Sequence, residues 1–245
     1  MKKRGRKFII LLAVLLPVIM GILILHKDIR INPVLVGGYE LRGVDVSHYQ
    51  GAIDWEELAR QDLDFACIKA TEGSGHLDEC FYDNWKAAGE TELYVGAYHF
   101  FSFDSAGETQ AQFYIDTVGD LSGKFSPVID VEYYGDKKNN PPEKAEVVRS
   151  LRELLLILEE EYQVKPIIYT TRSAYKDYLE GEFTDYPLWV RSVYCPPSFL
   201  FGDDWTFWQY TDTAVLDGYK GDEKYIDMNV FRGTRKELEA LLVDL

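Results

Sequence analysis

The chain has 245 residues with 47% hydrophobic and 27% charged content, which suits one domain of about 200 residues with a short appendage and excludes a disordered polypeptide. Its formal charge of −15 is uneven, because residues 1–26 carry five Lys/Arg and no acid, leaving 21 basic against 41 acidic residues in the rest. A body this acidic repels polyanions, so nucleic acid is excluded as a partner. Three cysteines and four histidines show no metal-ligand spacing, so no metal or other cofactor is expected, and at most one disulfide can form. No Ser/His/Asp grouping stands out either, which leaves the chemistry to carboxylates.

Residues 1–7 form a short basic segment, expected in the cytoplasm. The 18 uncharged residues 8–25 would make a helix roughly 27 Å long, enough to cross a bilayer. This run exceeds the apolar stretch of about 7 to 15 residues in a signal peptide and lacks a small-residue cut site, so it reads as an uncleaved transmembrane signal anchor. A cleaved leader and a secreted product is the alternative. The positive-inside rule then puts the rest of the chain outside the cell membrane. Residues 26–40, with Pro33 and the Gly37-Gly38 pair, read as an extracellular tether, and the folded domain spans 41–245.

Within that domain, short apolar β-rich runs alternate with helical patterns. They predict strands at 43–47, 65–70, 94–101, 126–131, 166–170, 188–191, 207–210 and 225–230. Eight strands in an α/β pattern point to a closed parallel barrel with its functional groups on the carboxyl-end face. A helix is expected over 142–162, where Val147, Leu151, Leu154, Leu155 and Leu158 recur at helical spacing. Another is expected over 234–245, with Leu238, Leu241 and Leu242 on one face. Residues 133–140 and 193–204 read as long loops of the kind that line a site.

The segment 126–132 is an apolar strand ending in Asp130 and Glu132, which the period of two puts on one face about 7 Å apart. By itself this short pattern equally suits a solvated strand end. Asp45 ends the first strand, and Asp227 stands in the same place on the last, so barrel closure would bring those two together, facing Asp130 and Glu132 across the mouth. Clustered buried carboxyls hold at least one proton, which yields the acid and ionised partner that glycosidic cleavage needs. Tyr98, Tyr169, Trp189 and Gln209 sit at other strand ends and are candidate sugar contacts, while each aromatic also suits a core position. His99 is expected as a hydrogen-bonded core residue.

Asp45-Val46-Ser47-His48-Tyr49-Gln50-Gly51, Ile68-Lys69-Ala70-Thr71-Glu72-Gly73, Gly96-Ala97-Tyr98-His99-Phe100, Asp130-Val131-Glu132, Trp208-Gln209-Tyr210 and Asp227-Met228-Asn229-Val230-Phe231 occur in this order. Together they resemble glycoside hydrolase family 25, the Chalaropsis-type lysozymes, over about residues 41–245. The resemblance implies an irregular TIM-like (β/α)8 barrel that hydrolyses the β-1,4 bond between N-acetylmuramic acid and N-acetylglucosamine in peptidoglycan. It makes Glu132 the general acid, with Asp130 either orienting the substrate's acetamido group or attacking directly, and Asp45 and Asp227 holding the hydrogen bonds around them. Arg191 stands where many members carry a small residue; it could meet a lactyl or peptide carboxylate, or neutralise a nearby acid. The expectation is a membrane-anchored, extracellular, monomeric muramidase of a bacterium. A non-catalytic glycan-binding or scaffold protein on the same barrel is the alternative, and an enzyme cutting another N-acetylated glycan such as chitin is a third reading.

Overall fold

Alternating apolar residues build a closed sheet in the computed structural model, which describes residues 30–244. The segments expected to be cytoplasmic and membrane-spanning, 1–7 and 8–25, lie outside the described residues. Among those described, no helix is long and apolar enough to cross a membrane. The strands are β1 (Leu41–Val46), β2 (Phe65–Glu72), β3 (His76–Leu77), β4 (Tyr94–Phe100), β5 (Val128–Val131), β6 (Ile167–Thr171), β7 (Leu188–Arg191), β8 (Phe207–Ala214) and β9 (Ile226–Phe231). They run in the order β1-β9-β8-β7-β6-β5-β4-β2, and a β1–β2 pairing closes the ring. The short β3, not expected from the sequence, is a hairpin partner of β2 outside that ring.

One strand departs from the expected parallel arrangement. All other neighbours in the ring are parallel, but β9 pairs antiparallel with both β1 and β8. The barrel is therefore α/β and eight-stranded, with one reversed strand.

Strand alternation sorts the side chains into two cores. Inside the barrel, Phe65 sits among Phe125, Trp189 and Phe207, edge-on to each, with Leu41, Cys67, Val128, Ile167 and Phe231 around them. Gly43 makes room for this plug, since a Cβ there would lie 2.3 Å from the Phe65 ring. Outside, Val44, Ile68, Ala97, Ile129, Ile168, Val190 and Trp208 face the surrounding helices. The long helix Lys144–Tyr162 packs Val147, Leu151, Leu154, Leu155 and Leu158 there, each buried Leu contributing roughly 2 kcal/mol. It starts two residues later than expected, because Glu143 is still extended at its N-cap.

Two further expectations are corrected. The last helix covers only Arg235–Glu239, opened by a Thr234/Glu237 capping box. Beyond it the chain straightens, and Leu242 and Val243 bridge to Phe125 and Ser122 while Leu238 is buried in the interior cluster. The tether expected over 26–40 is docked from residue 30 onward. Asn32 is fully buried at the start of a short helix (Asn32–Leu35), and Val36 belongs to the outer core. The Asn32 amide Nδ2 donates to the carbonyls of Ser192 and Tyr210, which β7 and β8 alone leave without that donor.

Candidate active site

The inward parity that fills the barrel also sets its mouth. On the mouth side of the plug come Asp45 on β1, Tyr169 on β6 and Gln209 on β8, with Asp130 and Glu132 at the end of β5, while Cys67 and Trp189 of the plug itself reach the mouth. Asp45 and Asp227 are direct cross-strand partners. Asp227 reaches this rim because β9 runs backward, so it lies near the start of its strand rather than at the carboxyl end where the sequence had put it.

All of these but Gln209 line a cleft of about 590 Å³. Asp45, Tyr98, Asp130, Glu132, Tyr169, Trp189, Arg191 and Asp227 all border it. Gln209 does not. It is 1% exposed, donating from Nε2 to Asp45 Oδ2 at 3.1 Å and accepting from the Tyr169 hydroxyl at 3.1 Å. Asn229 Nδ2 donates to the same Asp45 oxygen at 2.7 Å, and its Oδ1 accepts from Trp189 Nε1 at 2.9 Å. Gln209 and Asn229 thus turn toward Asp45 and are in turn fixed by ring hydrogen bonds. Trp189 and Tyr169 form part of the cleft floor, at 3% and 9% exposure.

Burial is the dominant influence on the acids. It raises Asp130 well above the ordinary carboxyl range, and the neighbouring Glu132 and Asp45 add to this. It raises Glu132 too, against the pull of Arg191. Asp227 is pushed up to about 9 by burial and by Asp45. Asp45 is raised by burial, with Asn229 and Gln209 opposing, and it accepts a hydrogen bond from Asp227. Burial thus favours the protonated form throughout the mouth, most clearly at Asp227, with Asp45 the member best provided with donors. Asp130 Oδ1 is buried without a hydrogen-bond partner among the described residues. An acceptor left open at the centre of a cleft is suited to a ligand N–H or an electrophilic carbon.

Sequence reasoning missed several rim groups. Lys69, on the motif of β2, pairs with Glu72 at 2.7 Å and lines the cleft. Tyr49, Glu223 and Tyr225 form part of its edge. Asp212 on β8 binds Arg191 Nη2 at 2.7 Å. His99 is buried as expected, bonded to Thr71 and Gln110, and burial lowers its pKa to about 4. All three cysteines are free. Among the described residues, no group of three or more His, Cys, Asp or Glu could hold a metal ion.

Buried carboxyls gathered at a barrel mouth above an aromatic floor are the groups that glycoside hydrolases use. The family model for glycosyl hydrolases family 25 matches residues 44–219. The chain is 31% identical to Lysozyme M1 of Streptomyces globisporus, over 82% of this chain and 71% of that protein. A family 25 glycosyl hydrolase from Bacillus anthracis has a solved structure that is 49% identical, with a TM-score of 0.79 over 83% of this chain and 94% of that one. The bacterial lysozyme from Streptomyces coelicolor is 29% identical, with a TM-score of 0.73 over 82% and 96%. The chain belongs to glycosyl hydrolase family 25, the lysozyme and N-acetylmuramidase family.

Proposed function

We propose that the protein cleaves the β-1,4 bond between N-acetylmuramic acid and N-acetylglucosamine in peptidoglycan, working outside the cell from an N-terminal membrane anchor. The observation that carries the chemistry is the open, buried Asp130 oxygen beside a Glu132 whose burial favours its proton. Glu132 protonates the leaving oxygen of the glycosidic bond. Asp130 accepts the N–H of the substrate's acetamido group and aligns its carbonyl oxygen against the anomeric carbon, an arrangement known for retaining enzymes on N-acetylated sugars. Glu132, now ionised, then takes a proton from the water that completes hydrolysis. Asp45 and Asp227 share a proton beside them and hold the site's charge constant. Direct attack by Asp130 is the rival route, and a covalent glycosyl adduct on Asp130 in mass spectra would establish it.

Anchoring is supported by the basic residues 1–7 and the apolar run 8–25. Cell fractionation with protease shaving of intact cells tests it, and a protein found only in the culture medium would refute it.

Incubation of the full chain with purified peptidoglycan tests the reaction, with the sugar at each new reducing end identified by mass. Reducing-end N-acetylmuramic acid is expected. In Glu132→Gln turnover should fall by about 10² to 10⁴ with the fold intact, and wild-type rates in that variant would remove Glu132 from the acid role. Cleavage of chitin but not of peptidoglycan would reassign the substrate, and binding without cleavage of any glycan would leave a scaffold.

A further inference from the structure

Beyond the four acids, the rim's hydrogen bonds converge on Asp212. Arg191 Nη2 donates to its Oδ2 at 2.7 Å, and Arg30 donates to its Oδ1 from both Nε and Nη2 at 3.2 Å. The Arg30 guanidinium also lies 4.2 Å from the centroid of the Tyr194 ring. Two residues on, Asn32 is bonded to the carbonyls of Ser192 and Tyr210 at 2.7 and 3.1 Å. Residues 30–32, which precede the stretch matched by the family model, thus tie the exit of β7 to β8 along the edge of the cleft.

Arg191 lines the cleft beside Glu132 and Asp227, with its Nη2 held by one oxygen of Asp212 while Arg30 holds the other oxygen of that carboxylate. Bracing orders the arginine before substrate arrives, which removes that cost from binding.

We propose that Arg30 and Asp212 are positioning residues that fix the Arg191 guanidinium as the receptor for a carboxylate on the glycan, so that the segment preceding the barrel sets a preference for acidic over neutral N-acetylated strands. The inference rests on the glycan-cleaving reading above.

The test uses the full chain and peptidoglycan strands stripped of their stem peptides, which expose lactyl carboxylates, against the same strands with those carboxyls amidated. Wild type should favour the acidic strands by about tenfold in kcat/KM, expressed in KM, as one charge-assisted hydrogen-bonded contact provides. Arg30→Met should abolish most of that preference while kcat/KM on amidated strands stays near wild type, and Arg30→Lys should restore part of it. Arg191→Lys, which keeps the charge but not the fork, should also weaken it. Circular dichroism and Tm establish that each variant is folded. Equal rates of wild type on both strands, or a preference that survives Arg30→Met, would overturn the proposal. Failure of wild type to cleave either strand would overturn the glycan-cleaving reading itself, a result distinguishable from the first two.

Discussion

Replacing Asp227 by Asn should make the protein more stable and less active, with a stability gain that depends on pH. Burial, with Asp45 adding to it, holds the Asp227 carboxyl at a pKa of about 9, against an ordinary value of 3.8. Because the folded pKa lies above the unfolded one, the folded state keeps a proton that the unfolded chain releases, and stability declines as pH rises from about 4 to about 9. At pH 7 roughly three pH units separate the medium from the ordinary carboxyl, and at about 1.4 kcal/mol per unit the burial costs up to about 4 kcal/mol. Asparagine is neutral at every pH and can still donate to Asp45, so Asp227→Asn should recover a large part of that cost. Urea unfolding of wild type and variant at pH 4.5, 6, 7 and 8 measures it. The gain should be small at pH 4.5 and increase steadily to pH 8, while muramidase turnover drops. A gain that does not vary with pH, or a variant less stable than wild type at pH 8, would refute the assignment of Asp227 as a buried, protonated acid.

Three other perturbations probe the scaffold. Asn32→Leu removes the donor shared by the Ser192 and Tyr210 carbonyls and should cost about 1 to 3 kcal/mol, read as a lower Tm, although the residue lies outside the family match. Gly43→Ala should cost about 3 kcal/mol or more, because its methyl would meet both the Phe65 ring and the Phe65 carbonyl oxygen, and Phe65→Leu in the same chain should relieve only the share due to the ring, a coupling that a double-mutant cycle would detect. His99, lowered by burial to about 4, stays neutral in the fold while the unfolded chain takes up a proton below about 6.5, so its contribution to stability is present above that pH and lost as pH falls toward 4. His99→Gln should therefore flatten the acid side of the stability profile, and an unchanged slope between pH 6.5 and 4.5 would contradict it.

The barrel and its four acids were legible because both depend on local pattern. A period of two places Asp130 and Glu132 on one face whatever surrounds them, and apolar runs ending in Asp mark β1 as well. Strand direction leaves no such mark. The sequence from Tyr225 to Val230 reads as a strand in either sense, so the reversal of β9 was invisible, although Asp227 still reaches the mouth because it is next to the reversed strand's beginning. Gln209 looked like a sugar ligand from its strand-end position, but its two hydrogen bonds turn it toward Asp45 and Tyr169. Asp212 escaped notice because alternation counted from Phe207 and Gln209 aims it outward, and only the register shifts on either side of Thr211 let it line the cleft. Arg30 and Asn32 lie in a Pro- and Gly-containing stretch whose composition resembles a linker, and only tertiary hydrogen bonds distinguish it from one.

The backward course of β9 bears on how such a cleft can be reshaped. Parallel neighbours in a barrel must be joined by a crossover that travels the full height of the molecule, so their connections are expensive to alter. Between β8 and β9 the chain instead turns over at the catalytic rim, where residues 215–225 supply Glu223 and Tyr225 to the cleft edge. This turn is tied at Gly218, whose carbonyl accepts from the Asp54 N–H at 2.6 Å at the opening of the helix Trp55–Ala59, and at Glu223, whose N–H donates to the Tyr49 carbonyl at 3.0 Å, so it can change in length only between those ties. Changes in its length would extend or shorten the wall of the substrate groove, giving the enzyme an adjustable ledge for longer or bulkier strands beside an unaltered set of acids.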